Sequence, residues 1–513
     1  MRTPQLTLYK HFGVVKDVEP TEVNPGQWTD VRNFQFQDGA SRRVGGYEGY
    51  GGTPTVAPLF CFHTTDQSTN YWIYCGTNTV YVTNGTTHYD ITPALGLNVA
   101  PAGNWTACSL NGIPVLCNGI NRPFYWDLNT SNACLYLPGW PSNATCGSVQ
   151  AYKFHLFAFD ITQASVRYPD TVWWSGGAEP GALPQDWVPA SDNDAGDVQL
   201  ADTPGAILDA KPLRDTLMVY KENSTYALQY VGGQFVYTQR KVFLNHGVFA
   251  RNCIEEINGE HWVFTGTDVI RHNGQTSVSV VQDKVKNTLI DSIDVTYKDY
   301  CCTAQIHSQS QFWICVPAQG NDSLTDAYVI NTKTNEVGTR ILPKILYVGR
   351  GLVDQDLFAT QWSTDSQAWE LDLTSWNQQS FNPTADSLLM CDFADTELWS
   401  VDTSDQNDGA AMYAYVERTS LPITAGDTNT LVTRIVPDIR GATGDEVFIQ
   451  VGSQKFFGED ISWQPNVRFT IGTDNYIDVQ TEGRLFSIRF QATTDRRWSM
   501  YGYRLQTVDT GLF

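Results

Sequence analysis

Histidine, cysteine and carboxylate side chains bind metals and move protons, so their spacing is the first guide to chemistry in this chain. The eight histidines form no His-Glu-x-x-His or His-x-His pattern, and no Cys-x-x-Cys pair accompanies them. They are His11, His63, His88, His155, His246, His261, His272 and His307. We therefore expect isolated histidines in strands or turns, and we predict no metal site.

An acidic cluster, Asp192, Asp194 and Asp197, begins like a calcium-binding loop. The twelfth position of that loop is Thr203, where an EF-hand needs a bidentate glutamate, so an EF-hand is excluded. A looser calcium site on this loop remains an alternative. Paired carboxylates for glycoside hydrolysis also remain open, because the sequence does not show the distance between two acidic side chains.

Nucleophilic and phosphate-binding motifs are missing from the sequence, which has no G-x-S-x-G elbow and no P-loop. The glycine-rich stretch RRVGGYEGYGG follows no strand–helix pattern, so its glycines are predicted to form turns. We predict no catalytic residue, no cofactor-binding residue, no cofactor and no enzymatic activity.

The eleven cysteines are an odd number, and most lie in apolar segments, as Cys75, Cys117 and Cys315 do. In such positions cysteine serves as a small hydrophobic residue. Cys301 and Cys302 are adjacent, but neighbouring strand residues point to opposite faces, so a shared metal is not expected. We predict structural thiols.

The formal net charge is −22, from 33 basic and 55 acidic residues. This excess opposes tight binding to nucleic acid, whose affinity comes mainly from lysine and arginine. No run of 18 apolar residues predicts a membrane span, and the first residues lack the apolar region of a signal peptide. We expect the protein to stay, at least initially, in the cell that makes it.

Two stretches of the chain share one plan, NYWIYCGTNTVYVTNG (70–85) and EHWVFTGTDVIRHNG (260–274). Trp72 and Trp262 are 190 residues apart, and each stretch predicts strand, tight turn, strand and turn. A single hairpin cannot bury its apolar face, so the recurrence predicts stacked copies. Four steps of roughly 47 residues fit the interval, and this is the period of a β-propeller blade.

Seven segments have the character of such core strands, and seven is the best blade count in a range of six to eight. Their starts lie near residues 71, 112, 154, 215, 260, 310 and 356, the last in DLFATQW (356–362). The widest step holds a stretch rich in Gly, Pro and Asp, which predicts an insertion at about 161–205. Only the neighbourhood of Val285–Ile293 favours a short helix.

After Asp405 the blade pattern stops, and five alternating segments predict a small β-sandwich or barrel, with a few irregular blades as the alternative. They are LVTRIVPDI (431–439), EVFIQVGS (446–453), RFTIG (468–472), LFSIRFQAT (485–493) and MYGYRLQTV (500–508). The predicted fold is thus all-β, with an N-terminal arm and closing or docking strands at 1–55, a β-propeller at 56–404 and a C-terminal β-sandwich at 405–513. YKHFGVV and NFQFQDG near the N-terminus are candidates to close the propeller or to dock onto the sandwich.

The two ends of the chain carry the most specific motifs. One is N-F-x-F-x-D-G-x-x-R-R-x-G-G-Y, from Asn33 to Tyr47; the other is G-R-x-F-S-I-R-F followed by W-x-x-x-G-Y-x-L, from Gly483 to Leu505. Together with the Trp- and Asp-rich insertion between them, they resemble the tail nozzle proteins of short-tailed, podovirus-type bacteriophages. These are also described as packaged-DNA stabilisation or tail tubular proteins. The resemblance covers nearly the whole chain, which is short for that group.

The resemblance implies a structural virion protein, made in the host cytoplasm and located in the tail. It implies a ring of six copies below the portal and its adaptor, which retains packaged DNA, conducts it at ejection and anchors tail fibres or spikes. DNA would pass through the lumen without tight binding. Asp-rich loops at 191–197 and 402–408 are candidates for the lumen wall or an interface, or equally for the outer surface.

Two other functions remain in competition. The first is a carbohydrate-binding or carbohydrate-degrading β-propeller, although the S-x-D-x-G-x-x-W repeat of sialidase-type propellers is missing from this sequence. The second is an intracellular interaction scaffold, although the blade repeats here are degenerate. The fold alone separates none of these functions.

Overall fold

The computed structural model describes residues 5–10, 12–66, 69–233, 236–353, 386–423 and 428–512. These residues form β-strands almost throughout, with one short α-helix at Lys286–Ser292 and two 3-10 turns at Ala102–Asn104 and Val295–Tyr300. The all-β prediction is confirmed, and the helix lies where the sequence favoured one. Within the described residues, no helix has the length and apolar character needed to cross a bilayer.

In the described residues, seven four-stranded antiparallel blades form a β-propeller, which confirms the preferred blade count; five are separate sheets, and blades 6 and 7 belong to one larger sheet. The strands of each blade are given from the inner strand outward. Blade 1 contains Phe60–Asp66, Thr69–Cys75, Val80–Thr83 and His88–Asp90, and blade 2 contains Thr106–Leu110, Ile113–Cys117, Phe124–Tyr125 and Leu135–Tyr136. Blade 3 contains Ala144–Tyr152, His155–Gln163, Val166–Trp174 and Gly196–Gln199. Blade 4 contains Ile207–Leu213, Thr216–Lys221, Thr225–Tyr230 and Tyr237–Phe243. Blade 5 contains Ile254–Ile257, Glu260–Phe264, Val269–His272 and Ser277–Ser279.

Blades 6 and 7 share one long strand, Val337–Leu352. Its first part pairs with the third strand of blade 6, and its second part is the inner strand of blade 7. The other blade 6 strands are Cys302–Ile306, Gln311–Val316 and Leu324–Asn331, and the other blade 7 strands are Asp386–Asp392, Glu397–Val401 and Tyr47–Gly49.

The ring closes through the N-terminal part of the chain. Tyr47–Gly49 pairs with Glu397–Val401 and so supplies the outer strand of blade 7. Such a strand from the opposite chain end ties the last blade to the start of the propeller and covers its free edge. Neither YKHFGVV nor NFQFQDG has this role.

The two similar stretches lie in blades 1 and 5, four blades apart. Trp72 and Trp262 are both buried in the second strand of their blades. In both turns Gly85 and Gly274 have positive φ, 88° and 86°, beside an asparagine whose side-chain oxygen accepts two backbone N–H groups. The repeat in the sequence is therefore a repeat of turn geometry.

The predicted core segments are the second strands of blades 1 to 6. DLFATQW (356–362) lies outside the described residues, and the second strand of blade 7 is Asp386–Asp392. The predicted insertion at about 161–205 is narrower in the structure. Its first residues complete a long hairpin of blade 3, and the loop itself spans 175–195.

A β-sandwich follows the propeller, as predicted, and all five predicted segments lie on its strands. One sheet contains Asp30–Arg32, Met412–Pro422, Leu485–Thr494, Glu446–Gln454, Ser462–Trp463 and Val467–Thr470. The other contains Gln5–Tyr9, Phe34–Gln37, Ala40–Arg43, Ser499–Leu512, Thr428–Arg440 and Ile477–Gly483.

The N-terminal segment supplies strands to both domains. Gln5–Tyr9 pairs with Ser499–Leu512, and Asp30–Arg32 pairs with Met412–Pro422. Phe34 also pairs with Thr339 of blade 6, so one sheet runs from the propeller into the sandwich. YKHFGVV and NFQFQDG dock onto the sandwich, which was the second of their two predicted roles.

Candidate functional site

The two end motifs meet in space, at the junction of propeller and sandwich. The Asn33 side chain donates to Tyr413 O of the sandwich (2.9 Å) and accepts from Ile341 N of the propeller (2.8 Å). Phe34 packs edge-on against Trp498, with 4.9 Å between ring centroids. The N-terminal motif thus contacts both domains, and one of its partners, Trp498, belongs to the C-terminal motif.

Three arginines, Arg43, Arg340 and Arg497, hold the turn 402–406, which links blade 7 to the sandwich. We call these three arginines and this turn the joint. Arg340 pairs with Asp402 (2.8 Å) and donates to the carbonyls of Gly45 (3.0 Å) and Gly46 (3.1 Å). Its guanidinium also lies over the ring of Trp313. Because Arg340 is 1% exposed, its charge depends on these partners.

The other two arginines bind the same turn from the sandwich side. Arg43, also 1% exposed, donates to Arg496 O (3.1 Å) and Asp405 O (2.7 Å). Burial lowers the pKa of Arg43 to about 10, so it stays charged at neutral pH. Arg497 pairs with Asp405 (2.5 Å) and donates to Asp402 O (3.1 Å). The joint is therefore a fixed electrostatic contact between the two domains.

Glycine is required where the chain passes this turn. A Cβ on Gly46 would lie 1.7 Å from Gln406 O, so the backbones touch there without room for any side chain. Asp402 N donates to Gly46 O, and Gly46 N donates to Ser404 O, both at 2.8 Å. The glycines of RRVGGYEGYGG were predicted to form turns. Gly51 and Gly52 have positive φ, as turns require, whereas Gly46 permits close backbone approach and Gly45 leaves room for the Asp402 and Arg497 side chains.

The joint changes one expectation about the acidic loops. Asp402 and Asp405 in the loop 402–408 are paired with arginines, and the side chain of Asp402 is largely buried. In the loop 191–197, Asp192, Asp194 and Asp197 are exposed. Within the described residues, no group of three His, Cys, Asp or Glu side chains could hold a metal ion.

A polar cavity of about 330 Å³ lies on the propeller axis, between the inner strands. Lys211 bridges to blade 5 through Glu255 Oε2 and Ile254 O, both at 2.8 Å. Asp209 accepts from Asn252 N (3.0 Å) and Ala210 N (2.8 Å), and burial raises its pKa. These polar side chains connect neighbouring blades, and the space between them suits ordered water or one small polar molecule.

Two histidines predicted to be isolated are in fact neighbours. The Tyr220 hydroxyl lies 2.7 Å from His261 Nδ1 and 2.6 Å from His272 Nε2. His261 Nε2 faces Pro212 O, and His272 Nδ1 accepts from Gly274 N. Hence His272 donates to Tyr220, and Tyr220 donates to His261, with both rings neutral. Burial lowers the pKa of His261 to about 3 and of His272 to about 4.

All eleven cysteines are free and buried, as a structural role requires. Cys301 and Cys302 belong to different hydrophobic clusters, because their side chains leave opposite sides of the chain. Burial raises the pKa of Cys75 and Cys253, which keeps these thiols protonated.

No protein-family model matches this chain, and no curated protein is significantly similar to it in sequence. Solved β-propellers resemble it in fold at 8% identity. The complex of BBS1N with ARL6DN and the WD40 β-propeller domain of Doa1 each have a TM-score of 0.38, over 70% of this chain and 96% of theirs. An exo-β-1,3-galactanase from Phanerochaete chrysosporium has a TM-score of 0.30, over 90% of this chain and 100% of its own. Similarities this low carry no information on function.

The joint should contribute more to stability than a surface ion pair. We expect Asp402→Ala to lower the free energy of unfolding by roughly 3–5 kcal/mol, because it leaves the buried Arg340 charge without its carboxylate. Asp478→Ala is the matched control, since its pair with Arg434 is exposed and surface ion pairs contribute little to stability. Guanidinium unfolding of both variants measures the difference. Equal losses of unfolding free energy in the two variants would contradict a larger contribution from the joint.

The neutral histidine pair should make stability sensitive to acid. The folded pKa values of about 3 and 4 lie below the usual value of about 6.5. The two neutral rings therefore contribute to the free energy of unfolding above pH 6.5, and this contribution is lost as the pH falls toward 4. Each ring accounts for up to roughly 1.4 kcal/mol per pH unit in that window. We expect His272→Gln to reduce the slope of unfolding free energy against pH, measured by urea unfolding between pH 7 and pH 5. An unchanged slope would contradict this.

Proposed function

We propose that this protein is the nozzle of a short-tailed bacteriophage tail, a ring-forming segment below the portal and adaptor. In this role it retains packaged DNA, conducts it at ejection and holds fibres or spikes. The observation that supports the proposal is that the sequence motifs that resemble that group lie at the joint. Asn33, Arg43, Gly46 and Trp498 all lie where propeller and sandwich are bound together.

Mechanical demands support this role. A conduit under pressure from packaged DNA must keep its two domains in a fixed orientation. Here the segment from Gln5 to Gly49 supplies strands to both sandwich sheets and to blade 7. Arg418, fully buried, also holds this segment by donating to Pro20 O and Val23 O, each at 2.7 Å. Separation of the domains would therefore require the loss of paired strands and of buried charge contacts.

Charge supports the conduit as well. Six copies would carry 6 × (−22) = −132 formal charges. An acidic wall repels phosphates over a Debye length of roughly 8 Å at physiological salt, so DNA slides without being held. With Asp402 and Asp405 paired in the joint, the exposed acidic loop 191–197 is the better candidate for facing DNA.

The alternative of a carbohydrate-degrading propeller would use the central cavity, where Asp209 and Glu255 are both present. Glycoside hydrolysis needs one carboxyl group to donate a proton and a second to act as base or nucleophile. Both oxygens of Asp209 accept backbone N–H groups, and Glu255 is held by Lys211. This arrangement favours a structural role for the cavity, and we propose that the protein is not an enzyme.

Particles of a phage that encodes this chain provide the test. We expect mass spectrometry of purified virions to detect the chain at six copies per particle, and electron microscopy with a specific antibody to place it on the tail. Its absence from virions would refute the proposal. Polysaccharide cleavage by the purified protein that Glu255→Gln abolishes would favour the alternative.

A further inference from the structure

Blade 3 has a pocket of about 250 Å³ between its outer strands and the loop 175–195. Trp173 and Trp187 form its aromatic walls, and Pro141 and Pro189 lie at its sides. Neither the joint nor the central cavity uses its residues. A ligand in this pocket goes beyond the proposed function, although Asp197, which lines the pocket, also belongs to the acidic loop 191–197 of that proposal.

The aromatic walls are rigid. Trp140 lies behind them, with ring centroids 5.8 Å from Trp173 and 4.6 Å from Trp187. The Trp140 indole donates to Ala144 O (2.8 Å), which fixes its orientation. Trp173 remains half-buried, so part of its ring is open to a ligand. The walls therefore form a fixed platform.

Two polar side chains line the same pocket, and the protein leaves both unused. Among the residues that the structure describes, neither the Gln163 amide nor the Asp197 carboxylate makes a hydrogen bond. The indole N–H of Trp187, a residue 3% exposed, is also buried without a partner within the described part of the chain. Because this N–H has no accessible surface, a ligand in the pocket would meet the Gln163 and Asp197 side chains instead.

These features select the chemistry of the ligand. An indole face suits the apolar C–H face of a sugar ring, while an amide and a carboxylate match hydroxyl groups that both donate and accept. Asp197, with Asp192 and Asp194 nearby in the sequence, disfavours anions such as phosphates or acidic sugars. The volume is below the roughly 300–1,000 Å³ of drug-sized pockets, so one ring fits, not several.

We propose that this pocket binds one neutral pyranose unit, with Trp173 as the stacking platform and Gln163 and Asp197 as hydroxyl partners. A cationic ligand is the competing chemistry, because aromatic rings with a carboxylate also bind quaternary ammonium groups. The Gln163 amide favours the sugar, since it offers both a donor and an acceptor.

Saturation-transfer NMR on the full chain tests the proposal, with methyl glycosides of glucose, galactose, mannose, N-acetylglucosamine and rhamnose as probes and tetramethylammonium as the competing ligand. We expect transfer to at least one glycoside, at least a tenfold weaker affinity in Gln163→Ala and in Asp197→Asn, and no binding in Trp173→Ala. Gln199→Ala is the matched control, because Gln199 lies on the same blade, bonds to Asp170 and does not line the pocket.

Unchanged thermal unfolding of Gln163→Ala and Asp197→Asn is expected, since neither side chain is hydrogen-bonded, and it separates lost binding from lost folding. No transfer to any glycoside, transfer that survives both substitutions, or binding of tetramethylammonium alone would each overturn the proposal.

Discussion

The buried charge of Arg340 is the constraint on which the rest of the structure depends. A guanidinium removed from water must meet a carboxylate and hydrogen-bond acceptors in fixed positions. Asp402 comes from the end of blade 7, and the carbonyls of Gly45 and Gly46 come from the residues just before the strand that closes the ring. One side chain thus fixes the last blade, the closing strand and the start of the sandwich together.

This constraint explains why the N-terminal segment is divided between two domains. Tyr47–Gly49 completes blade 7, while the residues just before it pair with the sandwich. Between them, Gly46 lies too close to the 402–406 turn for any other residue. The propeller is therefore closed, and the sandwich docked, by contacts at the same position in the structure. A tail conduit, as proposed, would gain from this arrangement.

Local signals in the sequence were sufficient for much of the fold. Trp72, Trp262 and the Asn-Gly turns predict the blade repeat, because hairpin geometry depends on neighbouring residues. The alternating segments after Asp405 likewise predict the sandwich. The pairing of His261 with His272 could have been predicted too, since the turn that pairs Phe264 with Val269 places these two residues opposite each other.

Long-range contacts could not be predicted in the same way. Arg43 contacts Asp405 across 362 positions of sequence, and no periodicity indicates such a partner. The closing strand Tyr47–Gly49 has only three residues, so its pattern is too short to identify. The candidate site was missed for the same reason, because the chemistry of the joint lies in buried arginines and glycines that resemble an ordinary turn sequence. The two end motifs contain several residues at the joint, but the sequence does not show which residues they contact.

Calorimetry of Gly46→Ala beside Gly49→Ala tests most directly whether the joint unites the two domains. A Cβ on Gly46 would collide with Gln406 O, whereas on Gly49 its nearest contact is Trp399 at 3.9 Å. The account predicts one unfolding transition for the wild type and for Gly49→Ala, and two separate transitions for Gly46→Ala as propeller and sandwich uncouple. A single, unshifted transition in Gly46→Ala would contradict it.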